Sequence, residues 1–211
     1  MGEPKQSRSE RTQERLLRAA ESLILEKGLA DASVPEIARR ARSSVGGVYA
    51  RFPDKDALLR ALEERFFGEM LARVAKLADA GRWADAPIAA IVRACADELV
   101  TVFRERRNLI AAFLHRATRD PEMLAEALRF RAQTAQRIAA LLLPRRGELG
   151  HPDPQLAIDL GVQFAFALML QLVVVGDVRA GGRVLSDREL QIEIERNFLS
   201  YIAAPDPGEK S

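Results

Sequence analysis

The sequence predicts an all-α protein of about nine helices. Alanine, leucine, arginine and glutamate dominate its 211 residues, aromatic residues make up only 6%, and β-branched residues are few. Apolar residues recur at intervals of three and four, and no segment alternates apolar and polar residues as a half-buried strand would. A chain of this length can bury a substantial core in one or two domains.

Capping residues set the predicted helix boundaries. The first helix runs from near Ser9 to Lys27, where Gly28 ends it as a left-handed C-cap. Asp54 caps a long fourth helix. Later helices begin at further N-cap residues, several of them followed by proline: Asp85, Asp120, Asp153 and Ser186, the last paired with Glu189 in a capping box. The segment Arg179–Gly182 is predicted to be a flexible link.

Two short helices with a tight break between them are predicted between residues 33 and 55. The first begins with a capping box, in which Ser33 and Glu36 satisfy each other's backbone N–H groups. Ser44 is placed to cap the second helix, which turns Val48 and Phe52 inward. Helices this short are unstable alone, so both must pack on a third. This is the helix-turn-helix arrangement, which offers its second helix to the major groove of DNA.

The basic residues of the N-terminal part concentrate in this stretch. Five bases lie between residues 39 and 55, against one acid, Asp54. The first sixty residues hold twelve bases and nine acids, while the remainder is slightly acidic, so the net charge of +2 conceals a modestly basic N-terminal unit. A basic helix face is often only a solvated surface. Beside a helix-turn-helix pattern, however, it favours nucleic-acid binding.

From about Leu16 to Leu59 the sequence resembles the DNA-binding region of the TetR family of bacterial transcriptional regulators. The matching residues follow in order and without gaps: Leu17, Ala19-Ala20, Leu23, Glu26-Lys27-Gly28, Ser33-Val34, Glu36-Ile37-Ala38, Ala41, Ser44, Gly46, Val48-Tyr49, Phe52, Lys55 and Leu58. The resemblance implies an N-terminal three-helix DNA-binding domain, followed by a C-terminal helical bundle that binds an effector.

The resemblance also implies which residues contact DNA. The candidate DNA-binding residues are Ser33, Arg42, Ser44, Val45, Gly46, Gly47, Tyr49, Arg51 and Lys55. In relatives the Tyr49 hydroxyl and Lys55 each bind a phosphate, and Ser33 and Ser44 can offer hydroxyl and helix N-terminal N–H groups. Arg51 is the best candidate for a base contact, because a guanidinium can bond guanine O6 and N7 together. A packing role for Tyr49 and a simple phosphate contact for Arg51 are the alternatives.

Two residues depart from the family pattern. The turn commonly reads Ala-Gly-Val-Ser, whereas residues 41–44 of this chain read Ala-Arg-Ser-Ser. Arg42 therefore occupies the place where glycine usually adopts a left-handed conformation, which costs another residue about 1 kcal/mol. Either the turn is altered, or the strain is tolerated because Arg42 reaches the DNA backbone. Gly47 replaces a small hydroxyl residue and removes one expected phosphate bond.

The rest of the chain offers no constellation of catalytic residues, so we expect no enzyme activity, no cofactor and no metal site. The two histidines, His115 and His151, fall on different predicted elements, and no metal-ligand spacing or glycine-rich phosphate loop appears. The single cysteine, Cys95, lies on an apolar helix face and is expected to be a small core residue. One cysteine excludes an internal disulfide framework and, with the polar N-terminus, favours a cytoplasmic location.

Bulky apolar residues with a few polar ones among them make up the candidate effector pocket. Taken alone, helix faces of this kind indicate an ordinary hydrophobic core, whereas the resemblance implies a helical bundle that encloses a ligand. The candidate pocket residues are Phe66, Phe67, Met70, Cys95, Leu99, Phe103, Phe113, His115, Arg116, Phe130 and Phe164. Among them, His115 and Arg116 are expected to orient a polar or anionic group of the effector.

The last two predicted helices, from Pro154 to Val175 and from Asp187 to Ala203, carry more apolar surface than one small bundle can cover. We expect them to form a four-helix interface between two copies of the chain across a two-fold axis. The candidate interface residues are Gly161, Ala165, Leu168, Leu172, Leu190, Ile194 and Phe198. Gly161 and Ala165, four residues apart, would let a partner helix approach closely.

The first of these two helices is also long enough to span a bilayer. Three polar residues at intervals of four and eight interrupt it along one stripe, namely Asp159, Gln163 and Gln171. A lipid-spanning helix seldom carries such a stripe, so we expect a buried interface helix and no membrane partner.

The sequence thus predicts a two-domain, homodimeric transcriptional regulator. Residues 1–54 would form an N-terminal arm and DNA-binding domain, residues 55–204 a ligand-binding and dimerisation domain, and residues 205–211 a disordered tail. The most favoured function is a repressor that a small apolar or amphipathic ligand releases from a palindromic operator in double-stranded DNA. The alternatives are a regulator without a small-molecule ligand, and an enzyme or cofactor-binding bundle with an incidental helix-turn-helix.

Overall fold

The computed structural model, which describes residues 5–205 and the side chains from residue 9 onward, confirms the all-α fold class. Nine α-helices occupy the described residues: α1 Lys5–Lys27, α2 Val34–Arg40, α3 Val45–Tyr49, α4 Lys55–Leu77, α5 Ile88–Glu105, α6 Arg107–Ala117, α7 Pro121–Leu142, α8 Pro154–Val175 and α9 Asp187–Ile202. Short 3₁₀ helices follow α4 at Ala80–Trp83 and α7 at Leu143–Glu148. The predicted disordered tail lies outside the described residues except for Pro205.

Most of the predicted caps are formed. Gly28 has a φ of +83° and donates its N–H to the Ile24 carbonyl, which ends α1 as predicted. The Asp54 and Asp153 carboxylates accept backbone N–H groups in the first turns of α4 and α8. Ser186 forms the predicted capping box at the start of α9. Local sequence therefore fixes where these helices begin and end.

The expectation of a flexible link over Arg179–Gly182 is wrong. A two-stranded antiparallel hairpin, β1 Arg179–Ala180 and β2 Arg183–Val184, joins α8 to α9. Gly181 and Gly182 form its turn with φ values of +57° and +78°, which only glycine adopts at little cost. The two adjacent glycines are the sequence signal for this turn. The strands are too short to show an alternation of apolar and polar residues.

Helix packing divides the chain into two compact units. The N-terminal unit contains the chain through Gly68 together with Arg106–Leu124, and the C-terminal unit contains Glu69–Glu105 and the chain from Ala125 onward. In the N-terminal unit α6 packs on α1, and α2 packs on α1 and α3. The start of α4 and all of α6 therefore belong, by packing, with the helix-turn-helix, whereas the sequence placed a functional boundary between residues 54 and 55.

In the C-terminal unit, α9 packs against both α5 and α8. A Cβ atom at Gly161 of α8 would lie 2.7 Å from the Phe198 ring of α9, so the missing side chain lets these two helices approach closely. Gly161 thus allows a close approach of two helices within one chain, and the close approach of a partner helix at Gly161 stays a prediction. Four further candidate interface residues are also buried inside their own chain: Leu172, Leu190, Ile194 and Phe198.

Within the described residues, α8 is the one helix long and apolar enough to cross a membrane, by length and composition alone. Only 33% of its most apolar window is buried inside the chain. Its exposed apolar residues include Phe164, Val174 and Val175. The inner face of α8 therefore belongs to the core of the C-terminal unit, while its outer face remains uncovered in the single chain.

Replacing Gly161 by alanine should destabilise the protein by about 1–3 kcal/mol, because the added methyl group overpacks the contact with Phe198. The matched control is Gly68→Ala in α4, where a Cβ would meet nothing within 4 Å. That change should stabilise the protein by about 0.5–1 kcal/mol through helix propensity. Urea unfolding of the three proteins measures both effects. Equal stability of the Gly161→Ala variant and the wild type would contradict the tight contact.

Candidate DNA-binding site

The helix-turn-helix is held in place by its buried face. Ile37 and Ala38 of α2 and Val48 of α3 are almost fully buried, and Phe52 follows α3 into the core. A helix of five residues such as α3 has too few hydrogen bonds to form alone. Its orientation therefore depends on Val48 and on the packing of α2 against α1.

Two ion pairs fasten α2 to the end of α1. Lys27 Nζ donates to Glu36 Oε2 at 2.6 Å, and Arg40 forms a bidentate pair with Glu26. The hydrogen bond from Lys27 is the main reason that the pKa of Glu36 falls to about 2. The capping box expected at Ser33 is incomplete, because its hydroxyl donates to the Glu36 carboxylate and caps no backbone N–H.

The turn between α2 and α3 is left-handed at Arg42, whose φ is +51°. Arg42 is the one described residue other than glycine with a positive φ. The Ser43 N–H then donates to the Ala38 carbonyl at 2.8 Å, which closes the end of α2. The turn thus keeps the shape that glycine usually provides, and Arg42 carries the strain with its side chain exposed.

Helix α3 presents a face of small and exposed residues. Ser44 caps it by accepting the Gly47 N–H at 3.0 Å, as predicted. Val45 and Tyr49 are 41% and 49% exposed, unusually high for large apolar side chains. A Cβ at Gly47 would lie only 2.7 Å from the Ser43 hydroxyl, so glycine here leaves room for the two serine side chains. Backbone and hydroxyl groups are consequently open to an incoming ligand.

Arg51 and Lys55 stand beside this face with internal partners. Arg51 Nη1 donates to Ser9 Oγ of α1 at 3.0 Å, a contact that the sequence did not suggest. Lys55 Nζ donates to the Leu29 carbonyl at 2.8 Å. Partial burial lowers the pKa of Lys55, while neighbouring Asp56 acts in the opposite direction. Each cation keeps further N–H donors that these single bonds do not use.

The exposed bases of the turn complete the surface. Arg39 and Arg42 are exposed and have no acidic side chain within 4 Å among the residues that the structure describes. Arg40, which follows Arg39 directly, is neutralised by Glu26. The count of basic residues in the sequence included Arg39, but only the structure shows that Arg39 is exposed while its neighbour Arg40 is paired with an acid. The α3 surface is defined from here on as Arg39, Arg42, Ser44 and the exposed residues of α3.

The candidate pocket residues fall into two aromatic clusters, one in each unit. Phe66, Phe67 and Phe113 pack together in the N-terminal unit, with ring centroids 5.5–6.5 Å apart. In the C-terminal unit Phe103 and Phe130 both meet Phe166 edge-on, at 6.0 and 6.2 Å. Phe166 was missed by sequence reasoning, although it lies at helical spacing from other apolar residues of α8.

Three candidate pocket residues have other surroundings. His115 is exposed on α6 beside Arg119, and Arg116 is buried in ion pairs with Asp56 and Asp120. Phe164 is half-exposed on the outer face of α8. The effector contacts assigned to His115 and Arg116 therefore stay predictions. Helical periodicity alone does not tell a solvent-facing or paired polar residue from a ligand-facing one.

The remaining candidates lie in the interior of the C-terminal unit. Met70 is buried and Leu99 is half-buried. Burial raises the pKa of the Cys95 thiol to about 11, so this side chain behaves as a small core residue. Among the described residues, no three His, Cys, Asp or Glu side chains are grouped so that they could hold a metal ion.

Comparison with known families identifies the family of this chain. Residues 16–62 match the family described as bacterial regulatory proteins of the tetR family. Residues 87–189 match the tetracyclin repressor-like C-terminal domain. The chain belongs to the TetR family. It is therefore a TetR-family transcriptional regulator, with a DNA-binding helix-turn-helix. No curated protein sequence matches the chain.

Several solved structures share this fold. One, described as a putative TetR-family transcriptional regulator from Mesorhizobium loti MAFF303099, superposes with a TM-score of 0.72 at 21% identity, covering 93% of this chain and 97% of its own. A transcriptional regulator from Rhodococcus sp. RHA1 gives 0.68 at 22% identity, covering 88% and 93%. GusR of Salmonella enterica gives 0.64 at 15% identity, covering 92% and 96%.

Replacing Arg42 by glycine should raise stability by up to about 1 kcal/mol, because glycine relieves the left-handed strain. The matched control is Arg39→Gly, which removes the same exposed cation from the right-handed backbone of α2 and should cost about 0.5–1 kcal/mol. Chemical unfolding of both variants measures the difference. A loss of stability as large in Arg42→Gly as in Arg39→Gly would contradict the left-handed turn.

Proposed function

We propose that this TetR-family regulator is a repressor that binds a palindromic operator as a homodimer and leaves it when a small apolar or amphipathic molecule binds. It would work in the cytoplasm and without catalysis. The observation that carries the proposal is the α3 surface. Its exposed backbone, its capped N-terminus and its exposed arginines, Arg39 and Arg42, are suited to the base edges and phosphates of one major groove.

Each candidate DNA-binding residue, in the α3 surface or next to it, has a role that follows from its position. The Tyr49 hydroxyl and Lys55 would bind phosphates, and Ser33 and Ser44 would supply hydroxyl groups at the helix starts. Val45, Gly46 and Gly47 would lie closest to the base edges. Arg51 would read a base with the N–H groups that its bond to Ser9 does not use. Arg42 would reach a phosphate from the strained turn.

Dimerisation would use the outer face of α8. A surface groove between α8 and α9 is lined by Gly161, Phe164, Ala165, Leu168, Glu193, Ile194 and Asn197. Phe164 is 50% exposed there, and Val174 and Val175 extend the same helix with still greater exposure. An apolar surface of this kind on a folded chain favours burial against a second copy. Ala165 and Leu168 would contact the partner, while the buried candidates support the groove from within.

The effector would bind beside the aromatic cluster of Phe103, Phe130 and Phe166. Aromatic edges and faces suit an apolar or amphipathic ligand, and Met70 and Leu99 add flexible apolar surface to the C-terminal unit. Helix α4 contributes its residues through Gly68 to one unit and the remainder to the other, so it offers a route for coupling. By linkage, operator DNA must weaken effector binding as much as the effector weakens DNA binding.

Selection of DNA fragments by the purified protein should enrich a palindrome whose half-sites lie about 34 Å apart, one turn of the duplex. Lys55→Ala should weaken binding to all sequences alike and lower the slope of log affinity against log salt by about one unit. Arg51→Ala should instead relax specificity by about 1–3 kcal/mol at one base pair per half-site.

The control for these two variants is Arg188→Ala, which removes an exposed base from α9 of the C-terminal unit, outside the unit that contains the α3 surface. It should leave both the affinity and the salt slope unchanged. Wild-type behaviour of Lys55→Ala and Arg51→Ala on the enriched DNA would mean that the recognition surface has been assigned to the wrong helix.

Phe164→Asp should convert the protein from dimer to monomer at micromolar concentration, because it places a charge in the apolar face of α8. Leu128→Asp is the matched control, since Leu128 of α7 is 46% exposed and lies outside the proposed interface. Light scattering should give twice the mass of one chain for the wild type and for the control. A monomeric wild type would exclude the proposed dimer.

A further inference from the structure

Four charged residues of alternating sign join the start of α4 to the turn between α6 and α7. This charge quartet consists of Asp56, Arg60, Arg116 and Asp120. Arg116 pairs with Asp56 through Nη1 and with Asp120 through Nη2, the latter at 3.0 Å. Arg60 lies 3.8 Å from the same Asp120 carboxylate. All four residues belong to the N-terminal unit.

Arg116 is the fixed centre of the quartet. Its side chain is only 10% exposed, and its Nε donates to the Met123 sulfur at 2.9 Å. Asp120 is held as well, because it caps α7 by accepting the N–H groups of Glu122 and Met123. Burial raises the pKa of Asp120, but these hydrogen bonds and Arg116 outweigh it, so the carboxylate stays charged. Each of the three nitrogens of the Arg116 guanidinium therefore has an internal partner.

Asp56 is the exposed end of this network. Its side chain is 67% exposed, and it follows Lys55 directly in the first turn of α4. Holding the Asp56 carboxylate therefore fixes the backbone from which Lys55 projects. The alternating signs also fix the register of α4, because a shift by one turn would bring Arg60 against Arg116.

We propose that Arg116 is a positioning residue for DNA binding, which holds the first turn of α4 through Asp56 and so places Lys55 against its phosphate. This inference rests on the proposed function and adds a device that regulates it. A displacement of α4 along its axis must break the Arg116–Asp56 pair, so the quartet stabilises one setting of the helix. Packed elements with paired charges switch between discrete settings rather than deform continuously.

The decisive variant is Asp56→Asn, for which two explanations predict opposite changes in the affinity for operator DNA. If Asp56 acts only through its charge, removing an acid beside a phosphate contact reduces repulsion and tightens DNA binding. If Asp56 positions Lys55, the same change weakens operator binding by about fivefold or more. Asp31→Asn is the control for charge alone, because Asp31 is an exposed acid of the same unit with no ion pair in the described structure. It should leave binding unchanged or slightly tighter.

A double-mutant cycle tests whether the effect passes through Lys55. Asp56→Asn should lower the salt slope by about one unit, as Lys55→Ala does. The double variant should bind no more weakly than Lys55→Ala alone, because the contact can be lost only once. Asp56→Glu keeps the carboxylate and should restore most of the binding. Circular dichroism melting checks that Asp56→Asn remains folded, as expected for an exposed side chain.

The outcomes separate this inference from the proposed function. A wild-type protein that enriches no DNA sequence contradicts the proposed function, and the positioning role falls with it. A wild type that binds its palindrome, together with an Asp56→Asn variant that binds equally or more tightly, contradicts the positioning role alone. Additive losses in the double-mutant cycle would also overturn it, because Asp56 would then act independently of Lys55.

Discussion

A helix of five residues is unstable alone, so the α3 surface depends on the contacts that hold α3 in place. Burial of Val48 and the packing of α2 against α1 supply what α3 lacks in hydrogen bonds of its own. The ion pairs Lys27–Glu36 and Arg40–Glu26 add direction to that packing, since they fasten both ends of α2 to the last turn of α1. Because the core and these ion pairs hold α3 in place, the helix tolerates two glycines and an exposed tyrosine.

The basic residues of the N-terminal unit serve two different purposes. Arg40 is bound to Glu26, and Arg116 is bound to two carboxylates, so both contribute to internal order. Arg39 and Arg42 stay exposed without an acidic partner in the described part of the chain, so their charge is available to a phosphate. Net charge treats these arginines alike. Only their partners distinguish a cation that holds the fold from one that can meet DNA.

Local patterns in the sequence predicted much of the fold and the cap of α3. The Gly28 stop, the Ser44 cap and the Ser186 capping box depend on residues within a few positions of each other, and all three are formed. At several sites the sequence did not predict which residues far apart along the chain are in contact. A small residue in α8 predicts a close helix neighbour, but nothing in its spacing says that the neighbour is Phe198 of the same chain.

For the same reason the sequence did not predict the different surroundings of the two polar residues assigned to the effector pocket. His115 and Arg116 are adjacent on α6, yet one faces solvent and the other is buried between carboxylates from α4 and from the start of α7. Those carboxylates are sixty and four residues away, and only the latter distance lies within reach of a helical pattern. Periodicity gives the face of a helix and leaves the partner open.

Several features that cost stability in this chain lie where a partner is proposed. The left-handed Arg42, the glycines of α3 and the exposed Tyr49 belong to the surface proposed for DNA, and the exposed Phe164 belongs to the surface proposed for a second copy. The Gly161–Phe198 contact and the caps are internal. Local departures from the rules of stable folding tend to mark functional sites, because a partner can supply what the isolated chain leaves unsatisfied. On that reasoning Arg42 is the residue whose strain has the clearest use, since its left-handed backbone keeps the turn while its cation replaces the bare glycine of the family pattern.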